Sequence, residues 1–361
     1  MNIGIITFHR AYNYGAVLQC YALQRILTII GGGQNVKVID YINPYIEWLY
    51  KPHTGFIYVI KMLLRLRFDK IKEHILSYRI ACKRKFFFDE FRMNYLNCTQ
   101  EYSRQAIPQD FDRYIIGSDQ MWSLDCSGGI DNIYWGNFHR PRNSKLYGFS
   151  ISTNGDYRKM MTREMLKNRL ANFDGISFRE QMVARDFSAI NKMEYPVTLD
   201  PTLLTDAEIW EPLINKEWSK RKYVVIYQIR RLKNNPLMLE KQASFFAANT
   251  GCEIIDLSNM TYSVEDFVSI IKYAQAVFTS SFHATAFSVV FRKPLVAFRL
   301  YDGKDDRYVD LLKSLDLERH LVDENSKEIQ PSQIKLSDEG EFAFKQMKKN
   351  SLSYLKKILE S

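Results

Sequence analysis

The sequence lacks the patterns that identify several common classes of protein. Its few cysteines show no Cys-x-x-Cys pair and no zinc-ligand spacing, which is typical of reduced thiols in a cytoplasmic protein (Cys20, Cys82, Cys98, Cys126 and Cys252). No apolar run reaches the roughly 18 residues that a membrane-spanning helix needs. No basic region precedes the apolar stretch at residues 1–8, so we expect no signal peptide.

Motifs of several enzyme classes are also missing. The loop that contains Gly15 has neither the Gly-x-Gly-x-x-Gly spacing of dinucleotide sites nor a Walker lysine. No Gly-x-Ser-x-Gly elbow supports serine hydrolase chemistry. The histidines are isolated in sequence and do not have the spacing of metal ligands. We therefore expect no metal site and no cofactor.

The net charge of +9 is concentrated in one segment. Residues 51–95 hold eleven lysines and arginines against four acidic residues, and the rest is close to neutral, so we expect no nucleic-acid surface. The pattern predicts helices at 56–64 and 71–80, followed by a phenylalanine-rich run. One interpretation is a helical insertion whose long basic side chains cover its own apolar face. The other is a patch that meets anionic lipid or a lipid-linked substrate.

Strands and helices alternate along the chain. A length of 361 residues favours two domains of similar size. Apolar patterning predicts strands at 3–8, 36–39, 113–116, 145–150, 175–178, 223–228, 253–257, 274–278 and 295–298, and helices at 16–30, 163–173, 236–249, 264–274, 284–291 and 345–359. This order indicates an α/β fold with two doubly wound, Rossmann-like domains and a cleft between them, similar to the glycosyltransferase-B architecture.

The domain boundaries follow from the same pattern. We place the first domain at residues 1–205, with the basic helical insertion at 46–98. The second domain is placed at residues 206–361 and begins with a polar connection at 206–222. Whether the last helix packs back on the first domain is left open.

The segment around His283 is the most informative one. An apolar stretch ends at Thr279, Ser280 and Ser281, and a second apolar run follows His283. The pattern predicts a strand, a turn and a helix with His283 in its first turn. In open α/β sheets, ligands bind at the carboxyl ends of strands, and helix N-termini favour anions. The alternative is a buried, hydrogen-bonded histidine.

Three further loops follow predicted strands and carry polar side chains. In the first, Asn13 offers a donor and an acceptor, and Gly15 lets the backbone approach a ligand. In the second, Asp119 suits an acid or orients a sugar hydroxyl, although it is also suited to cap the next turn. In the third, Arg179 is suited to bind a carboxylate or phosphate in a two-pronged contact. Their flanking polar or small residues are Gly117, Ser118, Gln120 and Glu180.

Together these loops resemble the polysaccharide pyruvyl transferase family. Five segments carry the resemblance and occur in the family's order: Asn13-Tyr-Gly-Ala-Val-Leu-Gln-Cys-Tyr-Ala-Leu-Gln24, Gly117-Ser-Asp-Gln-Met-Trp122, Ser177-Phe-Arg-Glu180, Leu199-Asp-Pro-Thr-Leu-Leu204 and Ser280-Ser-Phe-His-Ala-Thr-Ala-Phe-Ser288. The resemblance implies a glycosyltransferase-B-like fold. It also implies transfer of the pyruvyl group of phosphoenolpyruvate, the donor substrate, onto two hydroxyls of a sugar. The acceptor would belong to a bacterial surface or capsular polysaccharide or to its precursor, lipid-linked or not.

The resemblance also implies roles for single residues. His283 and Asp119 would be catalytic, with His283 acting as the acid or contacting the donor phosphate, and Arg179 would hold donor anions. The other implied substrate-binding residues are Asn13, Gly15, Gly117, Ser118, Gln120, Glu180, Ser280, Ser281 and Arg299. Some members have an arginine where this chain has Ser281, so Arg299, Arg307 or Lys304 is expected to supply that anion contact.

Two other functions are compatible with the sequence. A glycosyltransferase that uses a nucleotide sugar fits the same architecture, and residues 228–235 would offer basic contacts to its phosphates. A non-catalytic partner in a glycan-synthesis complex would have an occluded cleft or a His283 packed away from solvent. We expect a cytoplasmic protein, with peripheral contact between residues 51–95 and an anionic membrane left open.

Overall fold

The computed structural model describes residues 1–53, 55, 60, 63–64, 67–103, 107–231, 235–326 and 329–361. Within these residues the chain forms two parallel β-sheets with helices packed around them. The predicted α/β class is therefore confirmed. The helix predicted at 56–64 lies largely outside the described residues.

The first sheet has six parallel strands in the order β3-β2-β1-β4-β5-β6. The strands are β1 (Asn2–Ile6), β2 (Asn35–Tyr41), β3 (Cys98–Tyr102), β4 (Arg113–Asp119), β5 (Lys145–Ile151) and β6 (Gly175–Phe178). Strand β3 was not predicted, because it lies at the sheet edge and its polar residues are only partly buried. The expectation that the sheet resumes at residue 113 was wrong, since the chain returns to it at Cys98.

The second sheet has five parallel strands in the order β11-β10-β9-β7-β8. The strands are β7 (Tyr223–Tyr227), β8 (Glu253–Asp256), β9 (Ala276–Thr279), β10 (Leu295–Phe298) and β11 (Leu321–Val322). Both sheets have strand orders of doubly wound folds, in which the order reverses next to the first strand. The reversal lies between β1 and β4 in the first sheet and between β7 and β9 in the second.

The α-helices connect and cover these strands. They are α1 (Tyr14–Ile30), α2 (Pro44–Tyr50), α3 (Phe68–Tyr95), α4 (Leu124–Ser127), α5 (Arg163–Leu170), α6 (Gln181–Asn191), α7 (Pro201–Leu204), α8 (Ala207–Trp210), α9 (Met238–Thr250), α10 (Val264–Tyr273), α11 (Phe282–Val290), α12 (Asp306–Ser314) and α13 (Asp338–Glu360). Helix α13 starts earlier than predicted because Ser337 caps it, its hydroxyl accepting from the Gly340 N–H at 3.0 Å. Its charged first turn conceals the apolar spacing.

The two halves share buried apolar residues. One continuous cluster contains Ile5 and Val38 of the first sheet and Val225 and Val277 of the second. The connection at 206–222 was predicted to be polar, yet Trp210 within it is fully buried and belongs to the same cluster. The halves are therefore packed together by apolar contacts, not only joined by a linker.

Helix α13 returns to the first sheet. The Tyr354 hydroxyl donates to the Gly148 carbonyl at 3.3 Å, and the Leu199 N–H donates to the Ser351 hydroxyl at 2.9 Å. The Arg113 guanidinium donates to the Ile358 carbonyl at 3.3 Å. The last described helix is thus part of the packing of the first half.

The basic segment forms one long helix, α3, after the undescribed stretch. Only Phe88 and Phe91 of this helix are buried. Basic side chains cover the apolar residues of α3 only in part: Lys83 lies over the Phe87 ring, but Phe68, Leu76 and Phe86 are each more than half exposed. No helix among the described residues has the length and apolar character needed to cross a lipid bilayer.

Candidate active site

A cavity of about 250 Å³ lies between the carboxyl ends of the two sheets. Its walls come from the loops after β1, β4, β7 and β9, represented by Asn13, Asp119, Arg230 and His283. These are the strands at which the order of each sheet reverses. Loops diverge at such a reversal and leave a crevice for a ligand. The cavity therefore occupies the position that the topology of both sheets favours for binding.

The N-terminus of α1 forms one wall. The Asn13 side-chain oxygen accepts from the backbone N–H groups of Gly15 at 3.0 Å and Ala16 at 3.3 Å, so it caps the helix. Next to it, the Tyr14 ring stacks on Phe267 of α10 at 4.2 Å between centroids, which fixes α1 against the second half. Because the Asn13 oxygen is used in the cap, only its amide NH₂ group remains for the predicted contact with a ligand.

The N-terminus of α11 forms the opposite wall. Ser281 is the residue before the helix, and its side chain makes no capping hydrogen bond. Its hydroxyl is buried in the cavity wall and has no hydrogen-bond partner among the described residues. The Ser280 hydroxyl, in contrast, donates to the Arg230 carbonyl at 2.8 Å and holds the loop. Two helix N-termini thus border one cavity, and both favour an anion there.

His283 joins the two walls. Its side chain is 6% exposed, and a Cβ on Gly15 would overlap the ring, so only glycine at position 15 lets α1 approach this closely. The buried ring agrees with one expectation for a non-catalytic partner, but it also forms part of the cavity wall. Burial lowers the pKa of His283 below its usual 6.5, although Asp200 and Asp119 oppose this shift. The ring is therefore mainly neutral at neutral pH.

Asp200 lies behind His283 and was missed as a site residue. Its carboxylate is completely buried, with Oδ2 3.8 Å from His283 Nε2 and 2.8 Å from Arg179 Nη1. Ser118 donates to the same oxygen at 3.2 Å. Burial alone would raise the pKa of Asp200, but His283 and Arg179 hold it below its usual value. The available signal was its position in the segment Leu199 to Leu204, directly after an apolar stretch.

Arg179 is surrounded by acidic groups. It is paired with Asp200, with Glu180 at 3.0 Å and with Asp119 at 3.8 Å. Burial opposes its charge, yet Glu180, Asp200 and Asp119 together raise the pKa of Arg179. Its guanidinium also lies over the Phe282 ring at 4.5 Å. Its ion pairs fit a residue that positions Asp200. Arg179 also lines a smaller cavity, and its Nη2 has no hydrogen-bond partner among the described residues, so the predicted contact with donor anions stays a prediction.

Residues 117–120, at the end of β4 and directly after it, have two roles: some line the cavity and the others support it. Asp119 and Gln120 line the cavity. Gly117 and Ser118 are buried behind it, and a Cβ on Gly117 would overlap the Phe149 carbonyl, so this glycine serves the packing of β4 on β5. Asp119 accepts from the Gln120 N–H at 2.8 Å and still faces the cavity. Capping and ligand contact are thus compatible at Asp119.

Cationic side chains complete the cavity. Arg230 and Lys304 line it while paired with Asp302 and Asp125, respectively. Arg307 also lines it, and among the described residues it makes no ion pair; its Nε donates to the Lys304 carbonyl at 3.2 Å. Burial lowers the pKa of Arg307, but a guanidinium stays charged in proteins. A positive charge without an ion-pair partner among the described residues therefore faces the cavity.

Arg299 does not take part in this group. It lies against Asp305 at 3.6 Å and Asp306 at 3.8 Å, and its guanidinium stacks on Tyr301 at 4.6 Å. Arg299 lines neither of the two cavities near His283. Of the three cations expected to replace the missing arginine, Arg307 and Lys304 reach the cavity.

A smaller cavity of about 130 Å³ adjoins the first one. The two share Phe282 and Arg307 in their walls, and Glu180 and Asp310 line the smaller one. Oε2 of Glu180 has no hydrogen-bond partner among the described residues, whereas Oε1 accepts from Ser152 at 2.8 Å. Burial raises the pKa of Asp310 above its usual value. Glu180 thus borders the smaller cavity and not the one that contains His283.

Two comparisons with known proteins bear on the family of this chain. No curated protein matches the chain. The family model described as polysaccharide pyruvyl transferase matches residues 13–301, which include both walls of the cavity and most of the chain. Asn13, Asp119, Asp200 and His283 all lie within the match. The chain therefore belongs to the polysaccharide pyruvyl transferase family.

Proposed function

We propose that this protein transfers the pyruvyl group of phosphoenolpyruvate onto two hydroxyls of one sugar, forming a cyclic ketal and releasing phosphate. The acceptor is a sugar of a bacterial surface or capsular polysaccharide, or of its precursor. The observation that carries the proposal is the cavity in which two helix N-termini and Arg307 surround His283. Family membership supports the reaction class.

The donor has the charge that this cavity favours. Phosphoenolpyruvate carries a phosphate and a carboxylate, and each needs N–H donors or a cation. The free N–H groups at the start of α11, the Ser281 hydroxyl and Arg307 offer these donors on one side. Arg230 and Lys304 are available on the same wall when their acidic partners release them. We assign the phosphate to this side.

The chemistry needs a proton donor and a proton acceptor. Protonation of the enol methylene carbon makes the adjacent carbon electrophilic, and one sugar hydroxyl adds to it while losing its proton. Loss of phosphate restores the electrophilic centre, and the second hydroxyl closes the ketal with loss of its own proton. The two hydroxyls lose two protons in total. One proton ends on the methyl carbon, and the other leaves with the released phosphate as hydrogen phosphate.

We assign these proton transfers to His283 and Asp119. Burial favours the neutral form of His283, and a bound phosphate dianion would favour its protonated form. The protonated ring would then serve as the acid for the enol carbon, with Asp200 behind it compensating the charge. Asp119, on the facing wall, is placed to accept the hydroxyl proton.

The test is acceptor-dependent release of phosphate from phosphoenolpyruvate. The assay uses a panel of water-soluble oligosaccharides with two hydroxyls that one carbon can bridge. We expect His283→Ala and Arg307→Ala to lower the rate about 100-fold or more, because they remove an acid or a donor contact. Arg221→Ala is the matched control, since Arg221 forms an exposed ion pair with Glu253 at the amino-terminal ends of β7 and β8, opposite the cavity.

Two results would contradict the proposal. One is a His283→Ala variant that releases phosphate at the wild-type rate. The other is thermal stabilisation of the protein by nucleotide sugars and not by phosphoenolpyruvate, which would support the glycosyltransferase hypothesis instead.

A further inference from the structure

The outward side of α3 carries an apolar and basic stripe. Each of its residues lies three or four positions from another member, which places them on the same side of a helix. All are exposed, and the apolar members are 46–60% exposed. We call this set the outer stripe: Phe68, Lys72, Ile75, Leu76, Arg79, Lys83 and Phe86. A folded protein in water gains nothing from leaving these rings and aliphatic chains uncovered.

The charges of the outer stripe are uncompensated. Among the described residues, Lys72, Arg79 and Lys83 form no ion pair. Three other cations of α3 do: Lys70 is paired with Glu73, and Lys85 and Arg92 are paired with Asp89. The acidic neighbours thus neutralise the sides of the helix and leave the outer stripe positive. A surface that combines exposed apolar groups with unpaired cations is complementary to the interface of an anionic bilayer.

The inner side of the same helix is attached to the cavity wall. The Phe88 ring lies 5.7 Å from the Tyr12 ring, and Tyr12 lies 5.5 Å from Tyr50, which lines the cavity. Leu49, beside Tyr50 on α2, lines the cavity as well and is 45% exposed. Trp48 is 60% exposed. Exposed apolar residues therefore lie both on the outward side of α3 and, at Trp48 and Leu49, beside the cavity.

We propose that the outer stripe, together with Trp48, docks the protein on the surface of an anionic lipid bilayer. The part of the proposal that concerns substrate rests on the proposed function: docking would place the cavity beside the membrane, so that the acceptor is a saccharide linked to a lipid. The lipid remains in the bilayer while the sugar reaches the cavity past Leu49.

The experiment is flotation of the full chain with vesicles of phosphatidylcholine, alone or mixed with phosphatidylglycerol. We expect flotation only with the anionic vesicles. Raising the salt from about 0.1 M to about 1 M should abolish it, because the screening length falls from about 10 Å to about 3 Å. Lys72→Glu/Arg79→Glu should lower the partition constant at least about 25-fold, since each cation near an anionic surface contributes roughly fivefold. Leu76→Ser/Phe86→Ser tests the apolar contribution and should also lower it.

Helix α13 provides matched controls. It has exposed lysines and an exposed Phe342, yet its inner side packs on the first sheet. Lys349→Glu/Lys356→Glu and Phe342→Ser should leave flotation unchanged. Equal flotation with neutral vesicles, no flotation at all, or an equal loss in the control variants would overturn the proposal.

Activity with water-soluble acceptors separates this proposal from the proposed function. The outer-stripe variants should release phosphate from phosphoenolpyruvate at the wild-type rate with such acceptors, because the cavity is unchanged. If no variant, including wild type, releases phosphate but flotation follows the outer stripe, the enzymatic proposal fails and the docking surface stands. If the outer-stripe variants lose soluble activity in parallel with flotation, their effect is on folding, and the docking proposal fails.

Discussion

At the scale of single residues, the site depends on a contact between Gly15 and His283. These residues are far apart in sequence and belong to helices that cover different sheets. Sequence reasoning selected both, but for separate reasons: a backbone close to a ligand and a histidine at a helix start. Their direct packing became visible only in three dimensions, because no local pattern encodes a contact between two distant helix ends.

We expect Gly15→Ala to lower stability by about 1–3 kcal/mol, the usual effect of excess volume in a packed region. The added Cβ overlaps the His283 ring, so the ring must turn away and activity should fall as well. The measurement is the free energy of unfolding in urea for Gly15→Ala, His283→Ala and the double variant. In the His283→Ala background, the cost of alanine at position 15 should nearly vanish; an unchanged cost would contradict the contact.

At the scale of elements, a buried cluster of three charged side chains joins the ends of β4 and β6 to the start of α7. Arg179 follows β6, Asp119 ends β4, and Asp200 caps α7 through the Thr202 N–H at 3.0 Å. All three side chains are nearly or fully buried. In a buried network of this kind, removal of one partner leaves the others without compensation.

Arg179→Leu should therefore destabilise the protein by about 3–5 kcal/mol, because the buried carboxylates lose their counter-charge. Unfolding in urea at neutral pH measures this effect. Arg158→Leu is the control, since Arg158 pairs with Asp186 on an exposed surface. A stable but inactive Arg179→Leu variant would instead support the original prediction of a donor clamp.

The strands and helices show what the sequence can reveal at this scale. Buried strands such as β1, β7 and β10 were predicted within one or two residues, because continuous apolar runs between polar turns are typical of parallel sheets. The edge strand β3 was missed because its residues are largely polar and only partly buried. Helix α12 was missed although its buried residues Tyr308, Val309, Leu311 and Leu312 have helical spacing in the sequence. Arg307, the unpaired cation of the cavity, is on α12. Overlooking this helix is why Arg299 was selected as a binding residue and Arg307 was mentioned only as one replacement.

At the scale of the whole molecule, the two halves unfold as one unit if the shared apolar cluster determines stability. Leu355 of α13 is completely buried in that cluster. We expect Leu355→Ala to lower the free energy of unfolding by about 2–5 kcal/mol. Calorimetry should show one transition that shifts as a whole; two transitions, of which only one moves, would contradict a single cooperative unit. Phe342→Ala, on the exposed side of the same helix, is the control.

The predicted architecture was confirmed in its class and in its two parallel sheets, while the boundary at 205/206 stays a prediction. Alternation of strands and helices was enough to infer the sheets, because each doubly wound half repeats a local pattern. The burial of Trp210 was not predicted, and the sequence left open whether the last helix packs on the first domain. Both depend on how the two halves pack against each other, and local patterns in the sequence do not show this packing.

The return of α13 also bears on how the protein is made. Ribosomes synthesise a chain from its N-terminus, and folding begins while synthesis continues. The strands of the first sheet are all translated before α13, whose Tyr354 stacks on Phe149 at 6.2 Å between centroids. During translation the nascent chain would therefore hold the Phe149 side of that sheet uncovered until residues 338–360 emerge. This interval is when we expect chaperones to bind the growing chain.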